Sequence, residues 1–151
     1  GYYQEVGLIV KQAREIGITV PMAGGDGWDS AKLPKIAGKD ALNNTFFTNL
    51  YSPSDDSEMN KSFVAEYEKT YGSKPDVFAA LSYDSVLLIA KSIEASQSSD
   101  PAKIGEAMAK IKDFAGVSGG VTFNEQHNPV KSAVIIEYKD GLPTFKTKVN
   151  P

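Results

Sequence analysis

The spacing of apolar residues predicts a helix followed by a strand at the start of the chain. From residue 3 to 16, apolar side chains recur every three or four positions, which is typical of a helix with one buried stripe. The predicted stripe consists of Val6, Ile9, Val10, Ala13 and Ile16. Gly17 ends the helix. The short apolar run 18–22 then predicts a buried strand that leads into a glycine-rich loop at 24–27.

The alternation of predicted helices and strands continues to residue 51. A short helix carrying Leu33 and Ile36 is predicted up to Gly38, with Asp29 or Ser30 as its N-terminal cap. Residues 44–51 alternate and contain clustered aromatic side chains, which favours a strand. An order of helix, strand, helix and strand predicts an α/β layer with parallel strands.

A polar, turn-like stretch at 52–57 separates this region from three successive predicted helices. The first ends at Gly72, and the third starts with Asp100 as cap and Pro101 at its first position. The second begins after Asp76 and is apolar over so wide an arc that we expect it to be largely buried. We place a domain boundary at the polar stretch.

The remaining sequence predicts few strands for so many helices. Strands are expected at 120–123, 133–138 and 144–149, with the last two joined as a hairpin across 139–141. Helices with wide apolar faces need a sheet to cover. We therefore expect the sheet of these helices to come from residues on the N-terminal side of this chain, which looks cut from a longer protein.

The amino-acid composition of the chain argues against several classes of function. The chain has 151 residues, of which 41% are hydrophobic, enough for a globular core. Its net charge is -3 and its 16 basic residues are spread along the whole length, so nucleic acid is not an expected partner. The apolar runs are far shorter than the roughly 20 residues that cross a bilayer. The absence of cysteine excludes a disulfide framework.

The segment 24–29, Gly-Gly-Asp-Gly-Trp-Asp, is the strongest candidate site. Ligands of open α/β sheets bind beyond the carboxyl ends of the strands, where the Asp26 carboxylate could receive an ammonium group. An alternative is a turn in which Asp26 and Asp29 only cap backbone donors. The alternating oxygen ligands and distant Glu of a calcium loop are absent.

Other chemistry has little support in the sequence. The single histidine, His127, lies in a polar turn with no second ligand and no nucleophile beside it, so we interpret it as an exposed turn residue. The glycines do not have nucleotide-binding spacing, and no Gly-x-Ser-x-Gly elbow exists. We expect no enzyme activity, cofactor or metal. The competing hypothesis is a small α/β enzyme or regulator that uses Asp26.

Taken together, these segments resemble the C-terminal part of the periplasmic substrate-binding proteins of Leu/Ile/Val (branched-chain amino-acid) ABC transporters. The residues that carry the resemblance are 1–5 with 11–14, 24–28, 75–84, 114–119, 121–124 and 129–131. The resemblance implies an α/β fold of the type I periplasmic-binding-protein class, with two flavodoxin-like lobes, present here without its N-terminal half. On that layout, residues 1–51 belong to the second lobe, 52–132 to the first lobe, and 133–151 return to the second lobe.

The resemblance also implies a function and its residues. It implies the solute-binding component of an ABC importer, which holds a small aliphatic amino acid in the cleft between the lobes. Asp26 would bind the ligand ammonium, Tyr2 would contact the ligand, and Phe78 would form a pocket wall. A sensor domain with the same fold is the alternative.

The implied partners are the amino-acid ligand, the membrane permease of the importer and the missing N-terminal half. The isolated chain could also self-associate or swap elements. The implied location is extracytoplasmic, either periplasmic or lipid-anchored at the cell surface, and the chain contains no signal segment.

Overall fold

The computed structural model describes residues 1–151, which form two compact units. The first unit comprises Gly1–Leu50 and Ala133–Val149, and the second comprises Tyr51–Ser132 and Asn150–Pro151. The helices are α1 Tyr3–Glu15, α2 Leu33–Ala37, α3 Glu58–Tyr71, α4 Val77–Ser96 and α5 Pro101–Ala109. The strands are β1 Met22–Gly24, β2 Thr45–Asn49, β3 Phe114–Gly116, β4 Gly119–Phe123, β5 Pro129–Val130, β6 Ala133–Lys139 and β7 Leu142–Val149.

The first unit is built on a four-stranded sheet in the order β1-β2-β6-β7. β1 and β2 are parallel, as predicted, whereas β6 is antiparallel to both β2 and β7, so the sheet is mixed. The core beside the sheet contains Val10 of α1, Leu33 of α2, Phe47 of β2 and Tyr138 of β6. In α/β sheets, ligands bind beyond the carboxyl ends of parallel strands. In this sheet, β1 and β2 are the one parallel pair.

The buried stripe of α1 is rotated from the predicted one. Val6, Gly7 and Val10 are buried, whereas Ile9 is 60% exposed and Ile16 is 77% exposed. The reason is the close approach of α2, because a Cβ added at Gly7 would lie 2.7 Å from Ile36 Cγ2. The helix thus packs through its glycine face, and the prediction that Ile9 and Ile16 are buried was wrong.

The predicted strand at 18–22 was also wrong, since β1 starts only at Met22. The Arg14 guanidinium holds the preceding segment in another way. Its Nη1 donates to the carbonyl oxygens of Ile18 and Val20 at 2.6 and 2.9 Å. Because these carbonyls bond a side chain instead of a neighbouring strand, the segment stays irregular.

The second unit contains the three predicted helices, and the predicted cap Asp100 is confirmed. The side chains of Asp76 and Asp100 accept hydrogen bonds from the first-turn amides of α4 and α5. Gly72 ends α3 in a left-handed conformation with φ of 70°. Beside the helices lies a small antiparallel sheet in the order β3-β4-β5, of which only β4 was predicted.

Helix α4 has a large exposed apolar face. Its buried residues are Val77, Ala80, Asp84 and Ser92. The exposed apolar residues are Phe78, Tyr83, Val86, Leu87, Ile89 and Ile93. The prediction that this helix is largely buried was therefore wrong for this chain. No helix has both the length and the apolar character needed to cross a membrane.

Candidate functional site

The glycine-rich loop begins at the carboxyl end of β1 and continues as a 3-10 helix, Asp26–Trp28. Its conformation is set by Trp28, whose indole is buried against the core and stacks on Phe47 with ring centroids 6.4 Å apart. A Cβ added at Gly24 would lie only 2.1 Å from Trp28 Nε1. A glycine is required here because the indole packs directly on the backbone.

The two carboxylates of the loop have different surroundings. Asp29 Oδ2 accepts a hydrogen bond of 2.8 Å from Asn49 Nδ2, which ties the loop to the end of β2. Asp26 is the first residue of the 3-10 helix, and it is exposed. Its carboxylate is therefore available to a ligand, while Asp29 has a structural contact.

Tyr2 lies next to this loop. It is the N-cap residue of α1 and is 66% exposed. A Cβ added at Gly27 would lie 3.0 Å from the Gly1 carbonyl oxygen and 3.2 Å from Tyr2 Cδ1. The fold thus brings the predicted site residue Tyr2 to the residue that follows Asp26 in the chain.

The third predicted site residue belongs to the second unit. Phe78 is the second residue of α4 and is exposed. It begins the exposed apolar face of that helix. Its proposed role as a pocket wall stays a prediction.

The sequence reasoning missed Asp84, which is buried within α4 at 3% exposure. Its Oδ1 accepts a 2.7 Å hydrogen bond from the Val117 amide, and its Oδ2 accepts one of 2.9 Å from the Ser118 amide. The signal was present in the sequence, since Asp84 is the one charged residue between positions 77 and 90. A lone carboxylate in so apolar a helix needs buried partners.

His127 lies where predicted, exposed in a turn of the second unit with φ of 61°. Its amide donates to the Asn124 carbonyl at 3.0 Å, which closes the turn. The structure contains no group of three or more His, Cys, Asp or Glu side chains arranged to hold a metal ion. The candidate site offers the exposed carboxylate of Asp26 and the exposed Tyr2, which lies against the next residue, Gly27.

Comparison with known proteins identifies the chain's relatives. The sequence profile of the family described as periplasmic binding protein matches residues 2–142. The chain belongs to the periplasmic binding protein family. It is 30% identical over 131 residues to Leu/Ile/Val-binding protein homolog 1 of Brucella suis, a match that covers 85% of this chain and 34% of the relative. It is 29% identical over 126 residues to a leucine-, isoleucine-, valine-, threonine- and alanine-binding protein of Pseudomonas aeruginosa, covering 83% of this chain and 33% of that protein.

Solved structures support the same family. The chain aligns over 100% of its length with a leucine-binding protein LivK of Thermotoga maritima, with a TM-score of 0.93 and 36% identity. It aligns equally completely with LivJ of Streptococcus pneumoniae in complex with isoleucine, with a TM-score of 0.85 and 36% identity. In both cases it spans 43% of the longer chain. The predicted family and the predicted fold class, part of a type I periplasmic binding protein, are confirmed.

Proposed function

We propose that this chain is part of the solute-binding component of an ABC importer and binds a small aliphatic amino acid, with branched-chain amino acids as the first candidates. The proposal is supported by relatives that are named for Leu, Ile and Val binding and by a solved neighbour that contains isoleucine. The complete protein would work outside the cytoplasm with the membrane permease of the importer. Its ligand site would also need residues beyond this chain, which spans less than half of those relatives.

The observation that carries the proposal is the Asp26 carboxylate at the end of β1. It is exposed, the next residue Gly27 lies against Tyr2, and the second acid of the loop, Asp29, is bonded to Asn49. An ammonium group about 4 Å from a carboxylate gains on the order of 4 kcal/mol at an effective dielectric constant near 20. We assign Asp26 to the ligand ammonium and Tyr2 to a contact with the rest of the ligand.

The aromatic ring of Phe78 is a separate part of the proposal. It lies near the N-terminus of α4 and is 62% exposed, so it offers apolar surface that this chain leaves uncovered. We propose that the second unit contributes this ring to the apolar side of the ligand site in the complete receptor.

The test is the Asp26→Ala variant of the complete receptor, titrated with leucine, isoleucine and valine by calorimetry. Loss of one member of a buried charge pair costs about 2 to 5 kcal/mol, so we expect the dissociation constant to rise roughly 30-fold to several thousand-fold. The melting temperature of the ligand-free variant should stay within a degree or two of wild type, because Asp26 is an exposed residue.

Asp40→Ala is the matched control. Asp40 is also an exposed aspartate at the start of a 3-10 helix of the first unit, and its change should leave the dissociation constants unchanged. Near-native affinity of the Asp26→Ala variant with a lowered melting temperature would show that Asp26 is a structural turn residue and would contradict the assignment.

A further inference from the structure

The Arg14 guanidinium lies at the amino ends of the two parallel strands of the first unit. It donates hydrogen bonds to four backbone carbonyl oxygens, those of Ile18, Val20, Ala41 and Asn43, at 2.6, 2.9, 3.2 and 3.0 Å. Two of these carbonyls precede β1 in the chain, and the other two precede β2. One side chain of α1 therefore bonds both of the segments that lead into the parallel strands.

These contacts match the register of the two strands. Met22 of β1 pairs with Thr45 of β2. Val20 and Asn43, whose carbonyls bond Nη1 and Nη2 of Arg14, each stand two positions before these paired residues. If β1 slipped by one residue against β2, one carbonyl would move by about 3.3 Å along the strand, out of reach of a hydrogen bond. The guanidinium is thus equivalent to one further rung of the β1–β2 ladder.

Other polar contacts hold the same ends of the strands. Asn44 Nδ2 donates to the Thr19 carbonyl at 3.2 Å, and the Met22 amide donates to the Asn44 carbonyl, also at 3.2 Å. Arg14 adds the helix to this group of contacts, because the planar fork of a guanidinium bonds α1 to both segments at once.

β1 is short, so its register determines where the candidate site begins. The strand ends at Gly24, two residues before Asp26. Gly24 packs against the Trp28 indole, where an added Cβ would lie 2.1 Å from Nε1. A slip of one residue would put a neighbouring residue in the place of Gly24 and would turn the side chains of the strand to the opposite faces. The position of the Asp26 loop is therefore linked to the register that Arg14 holds.

We propose that Arg14 is a positioning residue of the candidate site, which keeps β1 in register with β2 and so fixes where the Trp28 indole and the Asp26 carboxylate lie. The fork geometry of the guanidinium is essential to this role, since an ammonium has three donors and cannot bond four carbonyls in one plane. The effect of Arg14 on ligand binding rests on the proposed function of Asp26, whereas its effect on Trp28 does not.

The test of the register role uses the complete receptor with 5-fluorotryptophan in place of tryptophan, and the Trp28→Phe variant assigns the fluorine resonance of Trp28. We expect Arg14→Lys to shift or split that resonance, because lysine keeps the charge and loses the fork. Arg14→Met should change the resonance at least as much. Both variants are measured at a temperature where circular dichroism shows them to be folded, so partial unfolding does not produce the change.

Calorimetric titration with leucine measures the effect on the candidate site. We expect the dissociation constant of the Arg14→Lys variant to rise about tenfold, the change that follows if the distance between the Asp26 carboxylate and the ligand ammonium grows from about 4 to about 6 Å at an effective dielectric constant near 20. In a receptor that already carries Asp26→Ala, Arg14→Lys should have little further effect on affinity, because both changes act on the same contact.

Two variants of α1 are the controls. Lys11→Met removes an exposed charge near Arg14 on the same helix and should leave the resonance and the dissociation constant unchanged. Val10→Ala removes buried apolar volume and should lower the melting temperature without changing the dissociation constant. An unchanged Trp28 resonance in folded Arg14→Lys and Arg14→Met would overturn the inference. A changed resonance with unchanged leucine affinity would support the register role of Arg14 and contradict the ligand role of Asp26.

Discussion

Tyr138 is the residue whose ionisation should report most directly on the core of the first unit. Burial raises the pKa of its hydroxyl, and the nearby Asp29 carboxylate raises the pKa further. The pKa of Tyr51 in the second unit is raised as well. Burial is the largest cause, and the carboxylates of Asp55, Asp84 and Asp76 add to it. Both phenols are neutral in the folded chain at pH values where an unfolded tyrosine has lost its proton.

We expect a late step in the tyrosine absorbance when the folded chain is titrated with base. The stabilisation linked to the two phenols is fully present below a pH of about 10, the pKa of an unfolded tyrosine, and is lost as pH rises through the higher folded pKa values. Tyr138→Phe should remove part of the late step and weaken the decline of stability at high pH. Tyrosine ionisation complete by the pH expected for free tyrosine would contradict the assigned burial.

Asp26 and Asp84 show which residues could be predicted from the sequence and which could not. Asp26 was chosen because the end of a predicted parallel strand is a known place for ligands, and the structure leaves its carboxylate exposed at that place. Asp84 was missed because its partners, Val117 and Ser118, lie more than thirty positions away in sequence. Local patterns mark a lone acid in an apolar helix, but they do not identify the donors that stabilise it.

At the scale of elements, the predicted helix ends Gly72 and Asp100 of the second unit were correct. The predicted cap of α2, Asp29 or Ser30, was wrong, because its N-cap is Lys32, and so was the first strand. Caps such as Asp100 depend on hydrogen bonds to amides two and three residues away, so the sequence contains the whole interaction. The start of β1 depends on Arg14, which bonds the carbonyls of Ile18, Val20, Ala41 and Asn43. These hydrogen bonds of Arg14 form only when the chain folds, and the apolar run 18–22 does not predict them.

The turn of the β6–β7 hairpin provides a stability prediction. Asp140 and Gly141 both have positive φ, 52° and 76°, which is the geometry of a tight hairpin turn. Gly141→Ala places a Cβ in the left-handed region at a cost of about 1 to 2 kcal/mol. It also brings that Cβ to 2.5 Å from the flexible side chain of Lys39. We expect a loss of at least 1 kcal/mol in the free energy of unfolding, measured by urea denaturation.

Gly105→Ala is the matched control for the hairpin variant. Gly105 lies inside α5, and nothing is within 4 Å of an added Cβ. Alanine is favoured over glycine in a helix interior by about 0.8 to 1 kcal/mol, so this variant should be as stable as wild type or more stable. Equal destabilisation by both changes would contradict the role assigned to the turn.

At the scale of the whole molecule, the exposed apolar face of α4 should govern how the isolated chain behaves in solution. Val86 at 65% exposure and Ile89 at 46% lie on this face. Apolar patches of this kind seldom persist on monomers. We expect the isolated 151-residue chain to self-associate in sedimentation experiments and to bind an apolar dye. A compact monomer without dye-accessible surface would contradict this.

The matched variants for this prediction change the face without touching the core. Val86→Lys with Ile89→Glu should shift the chain towards monomer and reduce dye binding. Lys103→Glu with Lys110→Gln, on exposed positions of the α5 region, alters charge but no apolar surface and should leave self-association unchanged. In the complete receptor we expect the N-terminal half to cover this face, so the same α4 changes should lower its melting temperature.

The position of β6 in the first sheet determines the order in which the two units can be completed during synthesis. β6 lies between β2 and β7, and Phe46 pairs with Glu137. These partners are about 90 residues apart, so their pairing is highly non-local. Residues 1–50 are synthesised before residues 51–132 and must wait for β6. The sheet of the first unit is therefore completed only after residues 51–132 have been synthesised, and until then β2 is unpaired on the edge that later bonds β6.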